Sequence, residues 1–445
     1  TVNGGTLNLN NDDALKTTAN VDVSSGSMNV NNDTTVGDFG ASSGSTTTIA
    51  SGKVLTINPT TADKEVYGLA GSGEFKKTGS TRTILKGSHS FTGDTRITGG
   101  TLQVASGASL NAATDVIVET GTSFDVDESI TVASVTDSGD TDIASSKTLT
   151  VDHESSAGTM TYSGRLRGSG GFTKSGTGTY ILRGQNDLSG DVTVSEGILY
   201  AGLAADSGTT IIANNVSISG GTLGGGATIG GNVTSTGGTL APGNSIGTLT
   251  IDGDLVLDSS STTTIEFNTT SADKVVISGD ITVDGALVLE PESGTYSDIQ
   301  FTIFDGSGGS GNSLSGTFAS TTVNNNSNLG GATTSISYDT VNRKVFLDIG
   351  AAAASNTVKS LTTVSAFKDV AEIFDNATAG KILEVANVLK ASNSASVNSE
   401  LTKLEGSVLA SSATQGIRNH GSYQKALNTA TSFKSSSQVA NFAKN

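Results

Sequence analysis

Gly168-Ser-Gly-Gly-Phe-Thr-Lys174-Ser-Gly-Thr-Gly-Thr-Tyr-Ile-Leu182-Arg-Gly184 lies 97 residues after Gly71-Ser-Gly-Glu-Phe-Lys-Lys77-Thr-Gly-Ser-Thr-Arg-Thr-Ile-Leu85-Lys-Gly87. The same shift lays Gly190-Asp191 over Gly93-Asp94 and Gly197-Ile-Leu199 over Gly100-Thr-Leu102. Over residues 71–104 the two copies share 13 identities in 34 positions. Upstream, Ser145-Ser-Lys-Thr-Leu-Thr-Val151 is similar to Ser51-Gly-Lys-Val-Leu-Thr-Ile57. Val2-Asn-Gly-Gly-Thr-Leu-Asn-Leu9 is similar to Ile97-Thr-Gly-Gly-Thr-Leu-Gln-Val104, so the chain is expected to open inside a repeat of something longer.

Each copy has one texture. Short runs alternate apolar and polar residues, and Gly, Asn, Asp or Ser punctuates them every few positions, which is the pattern of many short strands. Other runs of the same kind are Thr148-Leu-Thr-Val151 and Thr248-Leu-Thr-Ile251. A period of 97 residues exceeds one solenoid unit, so about four rungs are expected in it. A propeller would carry aromatic signatures, whereas here aromatics are 5% and Trp is absent. A parallel β-helix fits better, because stacking gives each thin rung the core it cannot build alone. Val, Ile, Leu, Ala and Thr would point inward, with ladders of Asn and Ser at the corners. At roughly 20–25 residues per rung, the first 350 residues make about 14–17 rungs.

The wider composition agrees. The 445 residues include 57 Gly, 3 Pro and no Cys, and only 15% are charged. No thick Leu/Phe core and no disulfide framework follow from these numbers. The net charge is −17, which speaks against nucleic-acid binding and against anionic membrane surfaces. No apolar stretch is long enough to span a bilayer as a helix.

The texture changes near residue 350. After it Gly is rare, and Val358, Leu361, Val364, Phe367, Val370 and Phe374 recur at helical spacing. Ile382, Val385, Ala386 and Leu389 mark a second helix; Leu401, Leu404 and Val408 mark a weaker third. Ser355 or Asn356 is the N-cap candidate for the first. The tail has 9 Lys/Arg and 6 Asp/Glu, so the acidic character belongs to the part before it. Three segments are therefore expected: a repeat-bearing β-helix over 1–235, a C-terminal β-helix part over 236–349, and a helical tail over 350–445. Seven aromatics between Phe267 and Phe346 suit the middle segment to capping the stack.

The stretch 168–199 resembles the autotransporter-associated β-strand repeat, and 68–104 is a more divergent copy. Gly238-Thr-Leu-Ala-Pro-Gly-Asn-Ser-Ile-Gly-Thr-Leu-Thr-Ile-Asp-Gly-Asp-Leu255 resembles the signature that opens the C-terminal part of many autotransporter passengers. The Glu and Asp-Lys that follow it in such passengers correspond here to Glu266 and Asp273-Lys274. The segment 356–412, with Leu404-Glu-Gly406, resembles the stretch leading to the membrane barrel. One departure is that no barrel-like set of strands closes the chain. The resemblance implies a mainly β fold, a right-handed parallel β-helix, followed by an α-helical segment. It also implies display on the surface of a Gram-negative bacterium, with the membrane reached only through a C-terminal barrel absent from this chain.

Chemistry is sparse. His89, His153 and His420 are scattered and read as solvated turn residues. Asp137-Ser-Gly139 and Asp206-Ser-Gly208 lack the Gly that precedes the serine-protease motif found in some passengers, and read as turns. Asn11-Asp12-Asp13 and Asn31-Asn32-Asp33 read the same way. Gly306-Ser-Gly-Gly-Ser-Gly311 has no Lys and no strand-to-helix context for phosphate, and reads as a flexible loop. Lys77 and Lys174 occupy equivalent places and read as solvated lysines guarding a rung edge. The closest acidic cluster is Asp125, Asp127 and Glu128. Alternation puts Asp125 and Asp127 on one outward face, between inward Phe124 and Val126. Its functional reading is a Ca²⁺ or sugar site; its plain reading is a solvated acidic face. No other cofactor is expected.

Three functions stay open. The first is a non-catalytic passenger acting by contact, an adhesin or aggregation factor, on host-cell, matrix or neighbouring-cell surface molecules or on itself. The second is a surface layer or filament built through the solenoid. The third is a carbohydrate-active enzyme on a β-helix.

Overall fold

The computed structural model of the chain describes residues 1–11, 14–311 and 313–350. The helical tail expected over 350–445, its N-cap candidates and His420 therefore lie outside the described residues, as do Asp12 and Asp13. Residues Thr1–Thr295, Ile299–Asn328 and Thr334–Asp348 form one compact unit; Tyr296–Asp298, Leu329–Thr333 and Ile349 with Gly350 belong to a second. The description below concerns the first.

Its strands are short, mostly three to five residues, because a turn residue interrupts each alternating run. The strands stack in parallel into a β-solenoid of about 14 turns. Most turns contribute a strand to each of three faces, and in a few turns a face is crossed by an isolated bridge instead. The first face is a 14-stranded sheet running from Thr34–Val36 to Ser320–Val323. Its register advances by about one rung of 20 residues at a time, as in Leu55↔Phe75 and Phe75↔Thr95.

The second face begins in an 11-stranded sheet, through Arg82–Leu85, Thr101–Val104, Ser123–Val126 and Asp140–Ile143 to Leu166–Gly168. It passes through an isolated bridge between Asn186 and Ile212 into a seven-stranded sheet. The third face holds nine stacked strands from Ile130–Val132 to Leu314–Gly316.

Alternation decides what is inside. In Ser123–Val126, Phe124 and Val126 are fully buried while Ser123 and Asp125 face outward, as the sequence predicts. Leu102, Phe124 and Thr141 stack in one inward row, and Val104, Val126 and Ile143 in the next. Side chains from Ala201 to Tyr162 and Tyr180 fill this narrow interior, and each rung's share of burial depends on its neighbours.

Outside the strands, Asx side chains hold successive rungs together. On the third face each side-chain oxygen accepts the backbone N–H at the matching place one turn later. Asn215 accepts from Asn232 (2.9 Å), Asn232 from Asp254 (2.8 Å), Asp254 from Asp280 (2.8 Å) and Asp280 from Ser313 (2.8 Å). Asp33 and Asp63 do the same for Val54 and Arg82. Nearer the start, Asn29 donates to Asn8 (2.8 Å) and Asn31 to Asn10 (2.7 Å), the expected asparagine ladders. Neighbouring rungs thus pair backbone groups that a strand entering a turn would leave open.

The sequence repeat does not coincide with a whole number of turns. Glu74–Lys77 lies on the first face and Arg82–Leu85 on the second. Their equivalents 97 residues later, Gly171–Ser175 and Thr179–Leu182, lie on the third face and the first. After Glu74–Lys77 the first face continues through Thr95–Ile97, Asp115–Val118, Ser134–Asp137 and Thr159–Tyr162 to Thr179–Leu182; Gly171–Ser175 comes one face before the last. The repeat therefore spans four turns and two thirds of a fifth. The expectation of about four rungs was short because each rung takes only some 21 residues. The second copy is set back by one face.

Candidate functional site

The two lysines shared by the copies are not solvated. Lys77 stands in an inward row between Ile57 and Ile97, and Lys174 in one between Val151 and Val194. Both are completely buried. Lys77 Nζ donates to the carbonyls of Gly79 and Gly99, the latter at 2.7 Å. Lys174 Nζ donates to Ser175, to Gly176 at 2.6 Å and to Glu196 at 3.4 Å. Burial pushes each ammonium down to about 8, so it still carries its proton at neutral pH.

The corner around each lysine needs glycine. Gly100 and Gly197 hold φ of 62° and 61°, and a Cβ on Gly197 would sit 2.9 Å from Lys174 Nζ. The expectation of edge lysines fails because the ammonium finds a ring of bare turn carbonyls, while its stem continues an aliphatic row. The sequence did hold the signal. Lys77 and Lys174 are each two residues after an inward Phe, and period-two counting puts them on the same side.

Arg343 repeats the device near the end of the described chain. Its guanidinium donates to the carbonyls of Gly279 (2.8 Å), Gly306 and Gly309 (3.0 Å). The glycine-rich loop 306–311, expected to be flexible, is instead wrapped around this side chain. A Cβ at Gly311 would stand 2.6 Å from Arg343 Nη1.

The histidines also differ from expectation. His89 and His153 are both buried. The N–H of Leu69 donates to His89 Nδ1 (3.3 Å), and burial pushes this imidazole down to about 4, so it is neutral. His153 Nε2 pairs with the Gly158 carbonyl at 2.7 Å. Both rings stand in for backbone partners.

The acidic cluster divides. Asp125 and Asp127 share the outward side of the second face, as predicted. Asp125 lies directly across from Asp142 on the next rung and accepts from Ser123 Oγ at 2.7 Å; burial pushes its carboxyl up. Asp127 accepts from the Gln103 amide. Glu128 points elsewhere: it accepts from Lys147 Nζ (2.7 Å) and from the N–H of Gly107 (2.7 Å) and Ser129 (3.0 Å). The Lys147 bond, then the backbone bonds, hold Glu128 at about 2. Among the described residues, no group of three or more His, Asp or Glu side chains is gathered closely enough to hold a metal ion.

Basic side chains elsewhere pair with acids on neighbouring rungs. Lys86 meets Glu65 (2.5 Å), Arg96 lies between Glu74 and Glu119 (3.3 and 3.5 Å), and Arg183 meets Asp206 (2.9 Å). Exposed pairs of this kind are worth about 0–1 kcal/mol each. Their larger effect is to leave the unpaired charge of the surface negative.

The third face is different, and sequence reading did not single it out. Its central outward row runs in register through Thr131, Thr150, Thr173, Thr193, Ser217 and Thr234. All six are half-buried. None of the six hydroxyls has a hydrogen-bond partner among the described residues. The flanking rows, by contrast, are engaged: Asx oxygens clasp the next rung on one side, and on the other Ser195 Oγ bonds the Lys174 carbonyl (3.0 Å). The signal lay in the runs Thr-Val, Leu-Thr-Val and Phe-Thr-Lys, but only the pairing register aligns them.

The motif resembling the passenger-end signature is also drawn together. Asp273 is buried, and accepts the N–H groups of Gly247 (2.8 Å) and Glu266 (2.7 Å). It thus ties the 238–255 segment to the strand carrying Glu266. Burial pushes its carboxyl up to about 7 against those two bonds. Lys274 beside it pairs with Asp305 at 2.6 Å.

Comparison with known proteins agrees with this architecture. Residues 75–104 and 172–201 match the passenger-associated-transport-repeat, with the same offset of 97. A stretch of 199 residues, 41% of this chain, is 32% identical to the Adhesin BmaC autotransporter of Brucella suis biovar 1 (strain 1330). That stretch covers 5% of the length of the Brucella protein. Two such repeats are built into the parallel β-solenoid, and together with the similarity to the Brucella protein they support an autotransporter passenger with repeats, a family displayed at the cell surface and outer membrane.

Proposed function

We propose that the chain works by contact, as an adhesin-type passenger without catalysis. The observation that carries this reading is the third face: a row of six hydroxyls, unengaged among the described residues and repeated rung after rung. The structural engagement of several residues weighed in the sequence supports it. His89 and His153 serve the backbone, Lys77 and Lys174 sit in carbonyl rings, and Glu128 is paired with Lys147. The name of the similar Brucella protein points the same way. Its partners, on this reading, are host-cell, matrix or neighbouring-cell surface molecules. The division into 1–235, 236–349 and 350–445 belongs to the same proposal, with the Asp273 junction as support for a distinct passenger-end part. The test is to display the chain on a non-adherent bacterium and count cells retained on host-cell monolayers, matrix and sister cells. A several-fold gain on at least one surface is expected. Retention equal to that of the undecorated strain on all three sinks the proposal.

A further inference from the structure

We infer that the third face binds an uncharged linear polysaccharide laid along the stacking direction. The inference rests on the contact reading and names its ligand class. Six hydroxyls, Thr131, Thr150, Thr173, Thr193, Ser217 and Thr234, are stacked in register. At the spacing of neighbouring strands they stand roughly 4.8 Å apart and span about 24 Å. Each can donate one hydrogen bond and accept two. A ligand that engages all six must itself be extended and repeat at a comparable distance, which an extended sugar chain does with its own hydroxyls.

Charge narrows the class. The outward positions of these strands include no Lys or Arg, and Asp152 and Asp191 flank the row. Polyanions, including sulfated and uronic-acid glycans and nucleic acids, are repelled. A second copy of the chain is disfavoured in the same way, since residues before the tail carry a net charge of −20, from 16 Lys/Arg and 36 Asp/Glu. The row itself is neutral and offers no carboxylate to a cationic polymer. What complements it is a neutral, hydroxyl-rich chain. At Val256, which continues the row after Thr234, the hydroxyl is missing, so the continuous track ends there.

The experiment uses the full chain with amorphous cellulose and an insoluble β-1,3-glucan as neutral probes and dextran sulfate as the polyanion. Retention is measured by co-sedimentation and the solution state by sedimentation velocity. The wild type is expected to bind at least one neutral glycan and not dextran sulfate. A variant carrying Thr150→Val, Thr173→Val and Thr193→Val keeps the shape and loses the hydroxyls; binding should fall about tenfold. The same three positions changed to Ser should bind within about twofold of wild type. Equal melting midpoints show that the variants are folded; if the triple Val variant melts early, Thr173→Val alone, expected to weaken binding about threefold, replaces it. No retention of either neutral glycan, retention unchanged by Val, or preference for dextran sulfate overturns the inference. So does a dimer that the Val changes abolish, which would make a second copy the occupant. Cells that adhere through the displayed chain regardless of the Val changes leave the contact reading standing and remove only this face from it.

Discussion

The two repeat copies, Phe75–Val104 and Phe172–Ala201, share their corners and differ in their surroundings. In both, an inward lysine is ringed by turn carbonyls and a glycine at φ near 60° leaves room for it. Yet equivalent strands lie on different faces, because the period is a third of a turn short of five rungs. What the repeat specifies is a path of strand, corner and strand. It does not specify a place on the outside. A ligand site built from outward residues of the repeat would appear on two faces, whereas the hydroxyl row of the third face crosses only the second copy.

The comparison breaks most sharply at the lysines. Lys77→Glu and Lys174→Glu place a carboxylate against carbonyl oxygens in a dry corner, and each is expected to cost about 3–5 kcal/mol. Chemical denaturation midpoints measure it. Losses that differ by more than about 1 kcal/mol between the copies would show that the corner depends on its face after all.

A smaller effect comes from proton binding. The folded ammonium groups lose their protons near 8, below their ordinary value of 10.5. Between those values the folded chain binds fewer protons than the unfolded one, so stability rises with pH across that interval. The gain is full above 10.5 and is lost as pH falls through 8. Against the Lys77→Met/Lys174→Met variant, the wild type should gain up to about 1.4 kcal/mol per pH unit from each lysine. A pH-independent difference would mean that the lysines are not buried as charges.

The smallest effect is where the copies diverge. Tyr180 in the second copy has Thr83 as its equivalent in the first. Tyr180 donates its hydroxyl to the Val135 carbonyl and stacks on Phe172, ring centroids 6.1 Å apart. Thr83 Oγ1 is buried without a partner. Tyr180→Phe should cost about 1–2 kcal/mol, and Thr83→Val should be neutral or stabilising by under about 1 kcal/mol. Equal losses would mean that the two hydroxyls do the same work.

Much of the fold was legible because alternation and turn residues are local signals. Phe124 and Val126 inward, Asp125 outward and the 97-residue offset all follow from counting. The site was less legible. Lys77 and Lys174 were misread because residue type was weighed above position in the alternation. The Arg343 clasp joins residues 64 apart in sequence, from Gly279 to Arg343, and no spacing announces it. The hydroxyl row was invisible for a related reason: its members are 17 to 24 residues apart, and unequal loops between rungs conceal the alignment.

The Asx contacts have one more consequence. A strand that slips by a single residue turns its apolar side chains out, and burial opposes it at once. A slip by two residues leaves every apolar side chain facing inward, so the core alone is a poor judge of it. The oxygen of Asn215, Asn232, Asp254 or Asp280 meets one particular N–H of the following rung, and an even slip would leave that pair unmade. These side chains therefore act as alignment pins, catching the one class of threading error that a uniform greasy interior would let pass.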